Sequence, residues 1–308
     1  METWRVMTNT QEVNQMAKKP YYQRVSYRFL KKLFTHININ AGHRQVSVPI
    51  HDTAGLGLLH WKPSWHTQIF QHALSKRPGA FLDVGVNVGQ TLIDFLSLNL
   101  PQLQYYGFEP NSHAVSYISK LIELNRLHHM HIIPVGLSNN HRIEKLESLA
   151  SSSLYASDAR INFGSSNNRP LRYLYIPCFA FDAIRPSLNM PAISMVKIDV
   201  EGEELGVLQG MTQLLSNDRP LITCEVLHRD TDRYTSEAYL KTIATLRDLL
   251  HVHHYSIYYI AKQGHLFQLE PIDQFPHRIF VKPASFDECD YLFAPSSLVE
   301  WDLQRFTK

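Results

Sequence analysis

Residues 81–91, Phe81-Leu-Asp-Val-Gly-Val-Asn-Val-Gly-Gln-Thr91, constrain this chain more than any other stretch. A short apolar run carries Asp83, turns through Gly85 and Gly89, and enters a helical pattern with Leu92, Ile93, Phe95 and Leu96 apolar. A strand, a glycine turn and a helix start, in that order, form the nucleotide-cofactor corner of an open α/β sheet. Asp83 discriminates between cofactors. A dinucleotide pyrophosphate needs backbone N–H groups and the positive end of a helix dipole, and a carboxylate at the strand tip repels it. A cofactor carrying an ammonium and a sulfonium is attracted by the same carboxylate. The arrangement therefore points to S-adenosylmethionine rather than NAD, although the motif alone also suits a plain tight turn.

The spacing agrees, because Gly85 and Gly89 do not make the G-x-G-x-x-G of dinucleotide folds. Gln104-Tyr-Tyr-Gly-Phe108 reads as a second strand, ended by Glu109. An acid at that point accepts hydrogen bonds from ribose hydroxyls. Its alternative is a helix-cap acid, since Pro110-Asn111-Ser112 opens a helix through Val115, Ile118, Leu121 and Ile122.

With 308 residues, 44% of them hydrophobic, the chain can bury a full core. A net charge of +2 gives no general case for nucleic acid. Cys178, Cys224 and Cys289 lie far apart, forming neither a zinc motif nor a disulfide framework, which fits a reducing compartment. No apolar run approaches the ~18 residues of a membrane span. The start, Met1-Glu-Thr-Trp-Arg, lacks the apolar region of a signal peptide. A cytoplasmic protein is expected.

Three regions are expected: an N-terminal extension over 1–44, a catalytic domain over 45–290 and a tail over 291–308. Within the extension, Tyr21–Phe34 has a helical pattern with Val25, Phe29, Leu30 and Leu33 on one face and Arg24, Arg28, Lys31 and Lys32 on the other. It is either a packing helix or a basic amphipathic helix making peripheral membrane contact. Residues 45–60 suggest short strands in a hairpin, followed by a helix over Trp65–Leu74. Alternation then predicts strands at 80–84, 104–108, 131–135, 193–198 and 221–225, with helices at 90–97, 112–124, 203–215 and 236–250. Strands near 254–260 and 278–282 close the domain. The pattern implies a mainly parallel sheet with its site at the carboxyl ends of the strands. The interval 139–192, turn-rich at Ser151-Ser-Ser and Gly164-Ser-Ser-Asn-Asn, is expected to help form an acceptor pocket.

Met195-Val-Lys-Ile-Asp-Val-Glu-Gly-Glu-Glu204 is a second dense cluster. Lys197, Asp199 and Glu201 alternate with Val196, Ile198 and Val200, so the polar three share a face. Gly202 permits a turn, and Glu203 and Glu204 suit the first turn of a helix. Taken together, Asp83–Thr91, Gly107-Phe-Glu-Pro-Asn111, Val135-Gly-Leu-Ser138, Phe181-Asp182, Val196–Glu203 and Cys224-Glu225 make the chain resemble the FkbM-type methyltransferases over roughly residues 45–285. One departure is Val86, where the family often has Ala. The resemblance implies a class I, Rossmann-like fold with helices on both faces of a mostly parallel seven-stranded sheet, whose last strand is antiparallel. It also implies O-methylation of glycan, sugar or polyketide hydroxyls. Carried over by position, Asp83, Gly85, Asn87 and Gly89 surround the methionine end of S-adenosylmethionine. Glu109 holds the ribose, Leu137 and Ser138 flank the adenine, and Asp199 lies beside the transferred methyl.

An alcohol is a poor nucleophile near neutral pH, so a base or a divalent cation is expected to assist. The candidates are Asp199, Glu201, Glu225 and His228, the last of which is equally a surface or capping residue. Asp199, Glu201 and Glu225 are also an oxygen set for Mg²⁺, unless Lys197 pairs with one of them. His128-His-Met-His131 and His251-Val-His-His254 lack a completing carboxylate or cysteine and are expected to bind no metal. The competing function is a catalytically inactive cofactor- or glycan-binding module. In either case the partner is a small-molecule or glycan acceptor and not nucleic acid.

Overall fold

A computed structural model describes residues 35–50, 55–98, 100, 102–149, 160–161, 171–226, 236–263, 266–276, 289–296 and 303–306. The basic helix expected over Tyr21–Phe34, the strand expected at 278–282 and His228 lie outside the described residues.

An antiparallel hairpin of β1 (His36–Ala41) and β2 (Arg44–Pro49) opens the described chain, joined by Gly42 at φ +59°. It straddles the boundary expected at residue 44. The Leu-rich stretch expected to extend the hairpin is instead helix α1 (Leu56–Leu59). Helix α2 (Trp65–Lys76) follows and buries Ile69, Phe70, Ala73 and Leu74 at helical spacing.

Strands and helices then alternate as expected: β3 (Ala80–Val84), α3 (Gln90–Ser97), β4 (Tyr105–Phe108), α4 (Ser112–Asn125) and β5 (Met130–Ile133). Asn111 caps α4 by accepting from the His113 N–H at 3.0 Å. After an excursion through residues 136–188, β10 (Ile193–Ile198) and β11 (Leu221–Glu225) return to the sheet. Helix α8 (Ser236–Val252) precedes β12 (Tyr255–Gln263), β13 (Leu266–Ile272) and β14 (Asp290–Pro295).

The main sheet has the order β13-β12-β14-β11-β10-β3-β4-β5. The five strands β5, β4, β3, β10 and β11 run parallel. β14 is antiparallel and sits between β11 and β12. This is the seven-stranded sheet with an antiparallel last strand, extended at one edge by β13, which the hydropathy pattern did not suggest. The last strand lies at 290–295, so the tail drawn from 291 begins inside the sheet. Every residue from Tyr291 to Pro295 is buried.

Side-chain alternation divides the core. Phe81, Tyr105 and Met195 pack under α2, α3 and α4, while Leu82, Val84, Val196 and Ile198 pack against α8 and two short helices. Those two are α6 (Glu204–Gln209) and α7 (Thr212–Asn217), where one helix over 203–215 was expected. Close approach explains the break. A Cβ on Gly210 would stand 2.1 Å from the Ser138 carbonyl oxygen, so the chain passes there with no room for a side chain. Asp182 then restarts the helix, accepting from the backbone N–H of Gln213 at 2.8 Å and of Leu214 at 3.2 Å.

The interval expected to be turn-rich instead holds a second sheet. β7 (Arg142–Leu149) and β9 (Leu171–Phe179) pair antiparallel along their length, flanked by β6 (Gly136–Leu137) and β8 (Arg160–Ile161). Helix α5 (Phe181–Ile184) leads back to β10. Among the described residues, no helix is long and apolar enough to cross a membrane.

Because β14 fills the space between β11 and β12, a chain ending at residue 289 leaves both with an unpaired edge. Such a chain is expected to show no cooperative thermal transition by calorimetry. A transition like that of the full chain would contradict the central place of β14.

Candidate active site

The sheet reverses its winding between β3 and β10: the chain moves outward from β3 to β4 and β5, and from β10 to β11 on the other side. A crevice opens at the carboxyl ends of strands at such a switch point. Here the cleft is lined by Gly85, Asn87, Glu109, Leu137, Asp199, Glu201 and Glu225 among others, with Phe108, Leu146 and Ile176 as apolar wall. The described strands of the 139–192 interval thus reach the cleft through Leu146 and Ile176.

The glycine turn is built by close approach. Gly85 has φ +89°, and a Cβ there would meet the Asp199 carbonyl oxygen at 1.9 Å. Asn87 (φ +51°) and Gly89 (φ +92°) complete a turn that most side chains would strain. The Glu109 carboxylate closes the loop, with Oε2 accepting from the Asn87 N–H at 2.7 Å and Oε1 from the Asn111 N–H at 2.8 Å. Burial pushes the Glu109 carboxyl up to about 7, with the two backbone donors pulling the other way.

Asp83 lies near the end of β3, beneath the glycine turn. It is wholly buried, does not line the cleft, and accepts a hydrogen bond from the Tyr105 hydroxyl. Its cross-strand neighbour on β10 is Lys197, whose ammonium lies 3.8 Å from Oδ1. Burial raises the Asp83 carboxyl to about 6, and Lys197 and Tyr105 offset this only in part. Ser138 is also buried outside the cleft, its N–H donating to the Phe179 carbonyl at 2.9 Å, while Leu137 faces the cleft.

Lys197 is the buried cation of the site. It donates to Asp199 Oδ2 at 3.0 Å and to the Gly85 carbonyl at 3.5 Å. Burial opposes its charge, but Asp199 and Asp83 more than restore it, so the ammonium is held firmly protonated. Burial also works against the Asp199 carboxylate, and Lys197 together with a hydrogen bond from Glu225 reverses that and lowers it. Glu225 is driven the opposite way, far above the carboxylate range, by burial and then by the Asp199 charge. Shifts in opposite directions are those of two neighbouring carboxyls that share one proton.

Glu201 lines the cleft in a left-handed conformation (φ +58°), followed by Gly202 at φ +112°. Glu204 points inward, accepts from the Gly202 N–H at 2.8 Å, and is raised to about 8 by burial. Asp199, Glu201 and Glu225 are therefore brought together, but two of them are committed to Lys197 and to each other. Among the described residues, no group of three or more His, Cys, Asp or Glu is arranged to hold a metal ion, and the Mg²⁺ expectation finds no donor set.

The structure adds residues that carry no local sequence signal. Lys262 of β12 pairs with Asp290 of β14, the residue opposite Glu225 in register, and its ammonium stands 5.2 Å from the Trp65 ring centroid. Asp94 of α3 accepts from Trp61 Nε1 at 2.7 Å and from Ser64 Oγ at 3.3 Å. That clamp fixes the start of α2, and with it His66.

Strand order, a glycine turn at the switch point and an acid at the end of the second parallel strand together define a class I methyltransferase fold. A model of the FkbM methyltransferase domain matches residues 83–257, more than half of the chain, and the chain belongs to that family of S-adenosylmethionine-dependent methyltransferases. Among curated proteins, none matches the sequence. Solved structures with a similar fold include an FkbM methyltransferase from Methylobacillus flagellatus (14% identity, TM-score 0.41), aligned over 70% of this chain and 43% of that one. The present chain thus spans less than half of that relative. A putative caffeoyl-CoA O-methyltransferase from Staphylococcus aureus aligns over 94% of this chain and 99% of its own (8% identity, TM-score 0.44). Aeropyrum pernix fibrillarin, solved with natively bound S-adenosylmethionine, aligns over 75% and 76% (15% identity, TM-score 0.36).

The shared proton gives a pH test. Glu225 has a raised folded value, so the proton it binds stabilises the fold at low pH, and this contribution is lost as pH rises above the ordinary 4.5. Glu225→Gln mimics the protonated form at every pH. It is expected to melt with the wild type at pH 4 and above it at pH 8, by differential scanning calorimetry. A variant less stable at pH 8 than at pH 4, relative to wild type, would exclude the shared proton.

Proposed function

We propose that this chain is an S-adenosylmethionine-dependent O-methyltransferase acting on a hydroxyl of a glycan, sugar or polyketide-type small molecule. The observation that carries the proposal is the cleft itself, which has a ribose-type acid at one end and a proton-sharing carboxyl pair over a buried lysine at the other. The residues suit the cofactor. Each Glu109 oxygen accepts one backbone N–H and has a further lone pair, and the residue lines the cleft, which suits it to accept from ribose hydroxyls. Phe108, Leu137, Leu146 and Ile176 offer an apolar slot for a flat heteroaromatic ring.

When bound, the cofactor supplies an electrophilic methyl group and a neutral leaving sulfide. The chain must then align the acceptor oxygen and take up its proton. Asp199, ionised and half-exposed at the tip of β10, accepts the hydrogen bond of an acceptor hydroxyl. Glu225 holds that carboxylate in place from β11. Glu201 and Asn87 orient the ligand from the two turns, and Asp83 acts from behind by fixing Lys197. The buried, unbridged thiols of Cys178 and Cys224 favour a reducing compartment, and we assign the protein to the cytoplasm.

Calorimetric titration with S-adenosylhomocysteine, with NAD as control, tests the reading. Saturable binding of the first alone is expected, and no binding to folded protein would overturn it. Glu109→Ala removes hydrogen bonds from a charged acceptor, each worth about 1.5–3 kcal/mol. It is expected to weaken S-adenosylhomocysteine at least ~10-fold while leaving the circular dichroism spectrum unchanged. Binding without methyl transfer to any of a panel of hydroxylated acceptors would favour the inactive module.

A further inference from the structure

We propose that Glu201 receives the α-ammonium of the cofactor's amino-acid end, and so sets the preference of the cleft for a cofactor that carries one. The inference rests on the methyltransferase reading above. It gives a recognition role to one of the five acids that line the cleft, Glu109, Asp199, Glu201, Glu203 and Glu225.

Position and backbone both single it out. β3 and β10 stay paired up to the Asp199 N–H, which donates to the Val84 carbonyl at 3.0 Å. Just beyond, the turns of the two strands touch, since a Cβ at Gly85 would meet the Asp199 carbonyl oxygen at 1.9 Å and Val200 Cγ1 at 3.6 Å. Glu201 comes next, so its turn lies beside the glycine turn, and both line the cleft. With the ribose assigned to Glu109 and the adenine to the apolar slot, these two turns are the lining left for the amino-acid end. Glu201 also has φ +58°, in the left-handed region that side chains other than Asn and Asp enter at a cost. Arg126 and Asn189 share it, but they end helices, where it is common. Glu201 follows a strand, and its neighbours hold the turn: Gly202 continues at φ +112° and donates its N–H to the buried Glu204 carboxylate at 2.8 Å. Glycine would meet the same backbone demand with less strain, so what the glutamate adds is its carboxylate.

The other acids have different partners. An ammonium drawn out of water needs a carboxylate, because a charge-assisted hydrogen bond offsets its lost hydration. Asp83 is enclosed by Tyr105 and Lys197 and does not line the cleft. Glu109 accepts from two backbone N–H groups on the ribose side. Asp199 holds Lys197 at 3.0 Å, and Glu225 lies beside Asp199, one residue past the Ile198–Cys224 pair. Glu203 turns to Arg142 of β7, whose Nη2 stands 3.8 Å from Oε2. Among the described residues no lysine or arginine lines the cleft, so its field favours a cation.

The test is calorimetric titration of the full chain with two probes, S-adenosylhomocysteine and the analogue in which hydrogen replaces its α-amino group. Wild type is expected to bind S-adenosylhomocysteine at least ~10-fold more tightly than the analogue. Glu201→Gln is expected to lower that ratio ~10-fold, by weakening S-adenosylhomocysteine while the analogue's affinity stays unchanged. Glu201→Gly is expected to lower the ratio equally and to melt no lower than wild type, because glycine relaxes the turn. A carboxylate that serves only the fold gives another pattern, with both probes weakened alike or a lower melting temperature in the glycine variant. Either result would overturn the inference and leave the cofactor reading intact, as would a wild-type ratio near one or an unchanged ratio in Glu201→Gln. Failure of both probes to bind folded wild type would overturn that reading, and the inference with it.

Discussion

The buried ammonium of Lys197 is the interaction on which the rest of the site depends. Taking such a charge out of water costs several kcal/mol, so it persists only with partners on every side. Asp199 at 3.0 Å, Asp83 at 3.8 Å and the Gly85 carbonyl at 3.5 Å are those partners, and they come from β3, the glycine turn and the tip of β10. One cation thus ties together the two strands flanking the switch point and sets the turn that faces the cleft. Removing the lysine leaves the carboxylates beside it uncompensated, a loss typically worth about 3–5 kcal/mol.

A second consequence is a standing cost to stability. Asp94 and Asp83 are raised to about 6, Glu109 to about 7 and Glu204 to about 8, in each case by burial first. Groups with raised folded values bind protons more tightly in the fold than out of it, so their stabilisation is present at low pH and is lost as pH rises from the ordinary carboxylate values of 3.8 and 4.5 to the folded values. Asp83 lies near the end of β3, Glu109 follows β4, and Asp94 and Glu204 lie on α3 and α6, all around a sheet whose buried residues are mostly apolar. Ala80, Phe81, Leu82, Val196 and Leu221 are fully buried, and cooperative packing there offsets the strain at the tips.

The parts legible in the sequence were those where chemistry and local geometry coincide. The glycine turn, Glu109 and the Lys197–Glu204 run all lie at strand ends, where one short segment supplies both the turn and the functional group. Asp83 was legible as an unusual residue, but its partners were not, because strand alternation turns it to the α2 side, where Tyr105 and Lys197 from two other strands enclose it. The β7–β9 hairpin was read as turns, since the Ser- and Asn-rich residues between its strands outweigh the alternation within them. Asp290 and Lys262 were invisible to local reading, for each belongs to an element whose own pattern is ordinary.

By itself the sequence determined the alternating strands and helices that supply the five parallel strands, because hydrophobic periodicity and glycine turns are local properties. It determined the family for the same reason, because the matching motifs are short local runs. Only the tertiary structure decided which residues meet. Inserting β14 between β11 and β12 puts Asp290 opposite Glu225, and the packing of α2 on the sheet puts the Trp65 ring under Lys262. Those meetings depend on pairings across long sequence separations, which no local pattern encodes, and they convert scattered acids into one proton-sharing centre.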